Sequence, residues 1–518
     1  MAGQCGLKLA VSLITTHFGD LVAKVCSCLL HRGTLTLQEI IRFTELSSSQ
    51  VKNCLLVLIQ HNCVQAFSTP RPAGPGGVTK AVTQYMALFD NILHRMRFAK
   101  FLAVVRDDLG PRCEILLAGL LQNGRLTFGQ LVERASSNKP EVSASMREGL
   151  RANFNRLVSS RYVERCPRPE PFIDPSPQEE TRSTRKRSAK TSEEMLSVEQ
   201  QAMVAAALSD AERFSEITDT STENIEVKAT DHDPDVSVGD KRKYGVLEMD
   251  QEVQAVIAEN EVLWRANFEK FLLCLKKKAC VAHVRSKLGL DAGVVLEAMI
   301  ESSGQQKAKD ETPVRATMDS ILEGVRAKPG GISMTLEHIR VILDQLRCQS
   351  CNWGGGASYS IDLKSIIDTC QNDEVEALVL TRFGKETYRI FRLLIKNGHP
   401  FETDRIADIA FVEKKEAQGI LYKLWKDEYL DMEKVVSHAA GQKELFLWKV
   451  KKDALWEHVL NDLYHAALNL SQKIAHLVEQ EHEVSQRREK PEQLRNSRMI
   501  LELSLLKLDD ALMLFHDF

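Results

Sequence analysis

Two short helices followed by two short strands recur along this chain, and this repeated order constrains the fold more than any other feature. The clearest copy lies at 401–450, where a first helix follows the cap-like Thr403. A second helix is predicted from apolar residues at spacings of three and four, namely Ala417, Ile420, Leu421 and Leu424. Strand-like runs at 429–432 and 445–448 flank a polar loop. With a further helix at 386–397, this order is that of a winged helix, an elaborated helix-turn-helix.

The same order recurs at 50–67 and 143–166, and a weaker copy lies at 334–362. In each copy a helix runs through polar residues into a strand, and a segment long enough for another helix precedes it. Self-similar units in tandem are the signature of a repeated fold. We therefore predict a mainly α protein with small β-wings, built from four tandem winged-helix units in two pairs.

The C-terminal region follows a different pattern, with apolar residues in heptads. Leu494, Leu501, Leu508 and Phe515 lie seven residues apart. An earlier run from Leu460 to Val484 keeps three-four spacing, broken only at Glu481, and Pro491 separates the two runs because proline suits a helix start. Two heptad helices around a short turn predict an antiparallel coiled-coil hairpin, or a packed terminal helix pair if it is less exposed.

The middle of the chain changes composition sharply. Five prolines fall within 167–177, and 193–240 holds 13 acidic against 2 basic residues. Low hydrophobicity with blocks of like charge predicts a largely disordered, acidic linker. The predicted boundaries are winged helix 1 at 1–90, winged helix 2 at 91–166, the linker at 167–250, winged helix 3 at 251–365, winged helix 4 at 366–450 and the hairpin at 451–518.

Composition excludes several classes of protein. The chain of 518 residues has 68 basic and 71 acidic side chains, so its net charge of −3 gives no general attraction to nucleic acid. Its 12 cysteines are scattered, which favours a reducing compartment over a disulfide framework. No uninterrupted apolar stretch approaches about 18 residues and no signal-peptide pattern opens the chain, so we expect an intracellular protein without a membrane span.

Candidate catalytic and metal chemistry is sparse. Cys348 and Cys351 have the spacing of metal ligands, but no second pair or histidine partner lies at the usual distance. The sequence has no nucleophile elbow, kinase signature or dinucleotide fingerprint. We expect no enzyme activity, no metal and no cofactor.

A winged helix can place its third helix in a groove while Lys and Arg contact phosphates. The nucleic-acid-binding candidates are Lys52 in the first unit, Arg147, Arg151 and Arg156 in the second, and Lys414, Lys415 and Lys423 in the fourth. The alternative is a solvated helix face, and Leu- and Val-rich third helices favour protein contacts.

Two basic clusters in the linker are candidates for nuclear import. They are Arg185, Lys186 and Arg187, and Lys241, Arg242 and Lys243. The alternative is ordinary solvated linker charge.

Three long segments, 17–62, 382–399 and 414–435, resemble one family. It is the winged-helix subunit of eukaryotic RNA polymerase III that is related to the alpha subunit of TFIIE. The resemblance implies four winged helices and a coiled coil, and no catalytic residues. It also implies a trimer with a second winged-helix subunit and an acidic subunit, placed on the polymerase clamp near promoter or single-stranded DNA. Nuclear localisation and a role in initiation and DNA opening follow from the same resemblance.

A second hypothesis is a scaffold of a proteasome-lid-like or cullin-like regulatory complex that uses winged helices for protein contacts only. Such scaffolds place one winged helix after a long helical repeat, whereas the units here lie in tandem from the first residues. The tandem order therefore favours the polymerase subunit.

Overall fold

The computed structural model describes residues 3–71, 80–135, 144–173, 197–217, 262–303, 313–353, 356–437, 443–486 and 492–518. These residues form two compact bodies. One is Leu13–Phe271, and the other joins Leu272–Phe518 to the N-terminal residues up to Ser12. Among the described residues no helix is long and apolar enough to cross a bilayer.

Four three-stranded antiparallel sheets lie within a mainly helical chain, which confirms the predicted fold class. In every sheet the third strand lies between the first and the second. Three helices accompany each sheet, and we call each such set a unit. The first unit has helices Asp20–Arg32, Leu37–Thr44 and Ser48–Gln60, and strands Leu35–Thr36, Val64–Arg71 and Lys80–Ala87.

The second unit contains a long insertion. Its helices are Pro111–Asn123, Phe128–Ala135 and Ala144–Ser159, and its strands are Leu126–Thr127, Val163–Arg165 and Leu263–Ala266. The last strand comes after the acidic linker, and it pairs with both of the others. The second unit therefore extends beyond its predicted end at 166, and Leu263–Ala266 does not belong to the third unit, whose predicted start was 251.

Packing explains why Leu263–Ala266 belongs to the second unit. Trp264 is buried and meets the ring of Phe154 edge-on at 5.2 Å, so the strand completes the core as well as the sheet. Glu164 and Arg265 pair across these strands although they lie 101 residues apart, and such pairing leaves no local periodicity. The linker is thus an insertion in the wing of the second unit.

The remaining two units lie in the C-terminal body. The third has helices Leu290–Ser302, Met318–Arg326 and Leu336–Gln345, with strands Val314–Thr317, Gln349–Trp353 and Gly356–Ile361. The fourth has helices Lys385–Asn397, Thr403–Ala410 and Lys414–Lys426, with strands Phe401–Glu402, Asp431–Ser437 and Lys443–Lys449. A further helix precedes each of the four units: Gln4–Phe18, Phe98–Leu109, Phe268–Leu288 and Leu363–Phe383.

The same glycine turn joins each preceding helix to its unit. These glycines have φ of 84° at Gly19, 91° at Gly110, 102° at Gly289 and 88° at Gly384. Their ψ angles lie close to 180°. Only glycine adopts this region without a steric penalty, because it lacks a Cβ. The fourfold recurrence of the turn supports duplication of one ancestral unit.

A second recurring device ends the third helix of every unit. A left-handed residue follows each helix: Asn62, Arg161, Arg347 and Glu428, with φ between 56° and 64°. The next residue donates its N–H back into the helix, as in Cys63 to Leu58 at 2.8 Å and Tyr429 to Leu424 at 2.8 Å. This bond satisfies a free carbonyl at the helix end and turns the chain into the wing.

The chain ends in two long helices, Lys452–Gln486 and Glu492–His516. They are antiparallel, since the Trp456 and Phe515 rings meet at 5.5 Å while Glu481 and Arg498 pair further along. Glu481, which interrupts the apolar pattern, accepts a 2.9 Å hydrogen bond from Arg498. The end of this helix pair packs Leu514 and Phe518 against the core of the third unit.

Candidate nucleic-acid interface

The third helix of the fourth unit, Lys414–Lys426, has one buried and one exposed face. Ala417, Leu421 and Leu424 are buried in the core of the unit. The opposite face presents side chains at helical spacing, namely Lys415, Gln418, Tyr422, Trp425 and Lys426, all of them exposed. This face is the candidate interface.

Three exposed aromatic side chains lie on this helix or in the turn before it. Phe411 is 90% exposed, Tyr422 is 58% exposed and Trp425 is 38% exposed. The rings of Tyr422 and Trp425 lie 5.5 Å apart. Phe411 precedes the helix at φ 54°, which is uncommon for a bulky residue. Aromatic rings among lysines offer stacking surfaces for bases.

Sequence reasoning selected the lysines and missed these aromatics. Spacing could have found one of them, because Tyr422 lies well away from the face formed by Leu421 and Leu424, whereas Trp425 is four residues from Leu421 and lies at the edge of that face. The exposure of Phe411 has no such signal, since apolar spacing alone assigns its side chain to a helix core.

The predicted cations of this unit differ in what they contact. Lys414 forms an ion pair with Asp404 at 2.6 Å. The Lys423 ammonium lies 5.2 Å from the ring centre of Phe383, so it points away from the aromatic pair. Lys415 and Lys426 are exposed and have no ion pair within the described part of the chain. These two lysines are the better placed to contact phosphate.

The third helix of the second unit, Ala144–Ser159, carries the other predicted cluster. Arg147 and Arg156 are exposed, whereas Arg151 is partly buried. The helix has three arginines against the single acidic residue Glu148. Its surface is basic, without an exposed large apolar side chain among the residues whose side chains are described.

The first and third units present apolar side chains instead. Lys52 is exposed on the first unit, but Leu56 on the same helix is 68% exposed. On the third unit, Ile332 is 80% exposed and Val341 is also exposed. Single exposed apolar side chains are common on protein surfaces, so the first and third units differ from the other two chiefly in having few basic residues on their third helices.

Neither metal chemistry nor nuclear import gains support from the described residues. No group of His, Cys, Asp and Glu among them could hold a metal ion. Burial, and then the nearby Asp344, raise the pKa of Cys348 to about 12, which disfavours the thiolate that binds metals. The two import clusters, Arg185 to Arg187 and Lys241 to Lys243, lie outside the described residues.

Tandem winged-helix units define the class of this chain, which is a winged-helix scaffold protein. Comparison with known families makes this class specific. The chain matches three family profiles: the helix-turn-helix domain of RNA polymerase III subunit RPC82 at 8–69, RNA polymerase III subunit RPC82 at 152–369, and the C-terminal winged-helix domain of POLR3C at 375–450. The chain belongs to this family of RNA polymerase III winged-helix subunits.

Individual relatives cover nearly the whole chain. DNA-directed RNA polymerase III subunit RPC3 of Danio rerio is 25% identical over 486 residues, which are 90% of this chain and 83% of the relative. The protein of the same name in Homo sapiens is 22% identical over 91% of this chain and 84% of its own length. The Dictyostelium discoideum protein is 21% identical over 90% of this chain and 91% of its own length.

Proposed function

We propose that this chain is a non-catalytic subunit of RNA polymerase III in the nucleus, connecting the polymerase clamp, partner subunits and promoter DNA. In this role it assists initiation and DNA opening during transcription of small RNAs such as tRNA and 5S rRNA. Family membership supports the polymerase assignment. Its partners there are the other polymerase III subunits, including a second winged-helix subunit and an acidic subunit.

The single observation that supports DNA contact is the exposed face of Lys414–Lys426. Its aromatic rings can stack on bases, and Lys415 and Lys426 can pair with phosphates. From Lys415 to Lys426 the helix rises about 16 Å, at roughly 1.5 Å per residue. Because bases in a duplex must be unstacked before they can stack on protein, this face suits melted DNA.

The division among the four units supports the partner contacts. Basic third helices occur in the second and fourth units, while the third helices of the first and third units carry little net charge and expose Leu56 and Val341. A bridging subunit needs both kinds of surface. The alternative of a proteasome-lid-like or cullin-like scaffold is set aside, because the matching profiles and the named relatives are polymerase III proteins.

Fluorescence anisotropy with a labelled oligo(dT) strand and a duplex of equal length tests the DNA contact. We expect the single strand to bind more tightly. We expect Trp425→Ala to weaken single-strand binding about tenfold, and Trp425→Phe to retain it, because stacking needs a ring. Leu56→Ala, on the first unit, is the matched control that leaves this binding unchanged.

Salt dependence separates phosphate contacts from stacking. Replacing both Lys415 and Lys426 with Gln removes two contacts, so the slope of log K against log salt should fall by about 1.4. Equal binding by Trp425→Ala and the parent, together with an unchanged salt slope in the lysine variant, would show that DNA does not contact this face.

A further inference from the structure

The insertion in the second wing is partly folded back onto the protein. Its described parts are 167–173 and 197–217, which we call the strap. The strap leaves the second sheet after Arg165, and the chain returns to that sheet at Leu263. Both parts of the strap contact residues of the N-terminal body.

The first part of the strap adds an extended segment to the wing of the first unit. Ser68 donates its backbone N–H to the Pro171 carbonyl at 2.9 Å, and Ile173 donates to the Ser68 carbonyl at 2.9 Å. The Gln65 side-chain amide donates to the carbonyls of Arg168 and Pro169, each at 3.1 Å. The outer strand Val64–Arg71 is thereby covered at its centre.

A carboxylate of the strap also accepts hydrogen bonds from hydroxyl groups of that wing. Glu170 accepts hydrogen bonds from Ser68 Oγ at 2.9 Å and from Thr83 Oγ1 at 2.7 Å. Ser and Thr hydroxyls on a wing are among the groups that bind phosphate oxygens. Glu170 therefore fills positions that a nucleic-acid backbone would use.

A short helix fastens the strap by packing. Within Val198–Ala206, Ala202 is buried in one apolar cluster with Phe67 and Met86, and Ala206 is buried as well. The Arg168 N–H donates to the Ala206 carbonyl at 3.0 Å, which ties the helix to the extended segment. Val204 points outward and is exposed.

The far end of the strap reaches the basic third helix of the second unit. Asn155 on that helix donates to the Ile217 carbonyl at 3.2 Å and accepts from the Ile217 N–H at 3.3 Å. Asn155 lies one helical turn from Arg151, on the same face. Arg213 pairs with buried Glu164 and with Glu269, the latter at 2.8 Å.

We propose that the strap is an intramolecular cover that keeps the first wing away from DNA, with its far end anchored at Asn155 of the second unit's third helix. It carries five acidic residues against two basic ones, so its charge suits a surface that would otherwise attract phosphates. Release of the strap frees Ser68, Thr83 and Asn155, and adds them to the phosphate contacts that the exposed Arg147 and Arg156 already offer. The inference rests on the proposed function, because it presumes that the chain binds DNA.

Two substitutions on one helix test the cover. Ala202→Glu places a charge in the buried contact and should release the strap, whereas Val204→Glu adds the same charge on the exposed side. Hydrogen exchange of the Ser68 amide reports release. We expect Ala202→Glu to speed this exchange and to raise affinity for labelled duplex DNA about tenfold, with no change in Val204→Glu.

The gain must also depend on the hydroxyl groups that Glu170 covers. Replacing Ser68 and Thr83 with Ala in the Ala202→Glu background should abolish it. If the Ser68 amide stays protected from hydrogen exchange in Ala202→Glu, a second variant removes the strap: the full chain with 168–217 replaced by a Gly-Ser segment of equal length. A released strap with unchanged DNA affinity would overturn the proposed cover. Absence of DNA binding in every variant would instead overturn the proposed function.

Discussion

At the scale of single residues, conformations that only certain residue types tolerate set the geometry between helices. Gly384 ends Leu363–Phe383 and begins the fourth unit with φ 88° and ψ near 180°. Open space surrounds its missing Cβ, so strain in the backbone is the sole obstacle to a side chain there. A sequence can suggest such glycines by their recurrence, as Gly19 and Gly110 show, but their φ angle is a structural fact.

We expect Gly384→Ala to destabilise the C-terminal body by about 1–3 kcal/mol, the cost of this backbone region for a residue with a Cβ. Gly419→Ala is the control. Gly419 lies within a helix and also has open space around it, so alanine there should stabilise by up to about 1 kcal/mol. Thermal unfolding followed by circular dichroism measures both. Equal effects of the two substitutions would mean that Gly384 is not strained.

Two histidines make the stability of the N-terminal body depend on pH. Burial, and then the positive charge of Arg95, lower the pKa of His17 to about 4 and that of His61 to about 4. Their ordinary pKa is 6.5, so between pH 6.5 and 4 the unfolded chain binds more protons than the folded one. The contribution of these neutral histidines to stability is therefore complete above about pH 6.5 and falls as the pH is lowered toward 4.

The measurement is the melting temperature of the parent chain and of His61→Gln across that range. We expect the parent to lose stability on acidification and the variant to lose less of it. Parallel pH profiles in the two proteins would show that His61 does not become protonated on unfolding.

At the scale of elements, local periodicity predicted the helices, because their formation depends on residues close together in the sequence. The helix Lys414–Lys426 and the terminal helix pair both follow from apolar spacing, with Glu481 the sole interruption predicted. The strand Leu263–Ala266 did not follow, because its partners are Leu126–Thr127 and Val163–Arg165, far away in sequence. A short strand that follows a polar, acidic segment has no periodicity to indicate its partners.

The residues of the candidate site were also predictable from local position, but their tertiary contacts were not. Lysines at 414 and 415 and arginines on the second unit's third helix were identified as candidate phosphate contacts from their places on predicted third helices, and Arg151 among them is partly buried. Whether a lysine is engaged, as Lys414 is by Asp404, depends on tertiary contacts. The strap that contacts Asn155 also contacts Gln65, through Arg168, which lies 103 residues away in sequence. No local pattern in the sequence indicates such contacts.

The core position Leu424 provides an element-scale test. Leu424 is fully buried in the fourth unit, so Leu424→Asp leaves an unpaired charge in the core and should cost on the order of 3–5 kcal/mol. Lys423→Asp, at the exposed neighbouring position, should cost far less. Hydrogen exchange of Lys414–Lys426 in both variants measures the difference. Retained protection in Leu424→Asp would contradict the assigned core face.

At the scale of the whole molecule, repeated units explain how one chain presents several different surfaces. The glycine turns and the left-handed helix ends recur in all four described units, while the exposed faces of the third helices differ in charge and in apolar content. Duplication keeps the scaffold and frees each surface to acquire its own partner.

The most direct test of the central claim is to purify the full-length tagged chain from cells and to identify the proteins that remain bound in stoichiometric amounts. We predict recovery of the large RNA polymerase III subunits together with a second winged-helix subunit and an acidic subunit. Recovery of proteasome or ubiquitin-ligase subunits, with no polymerase subunit among the bound proteins, would contradict the account.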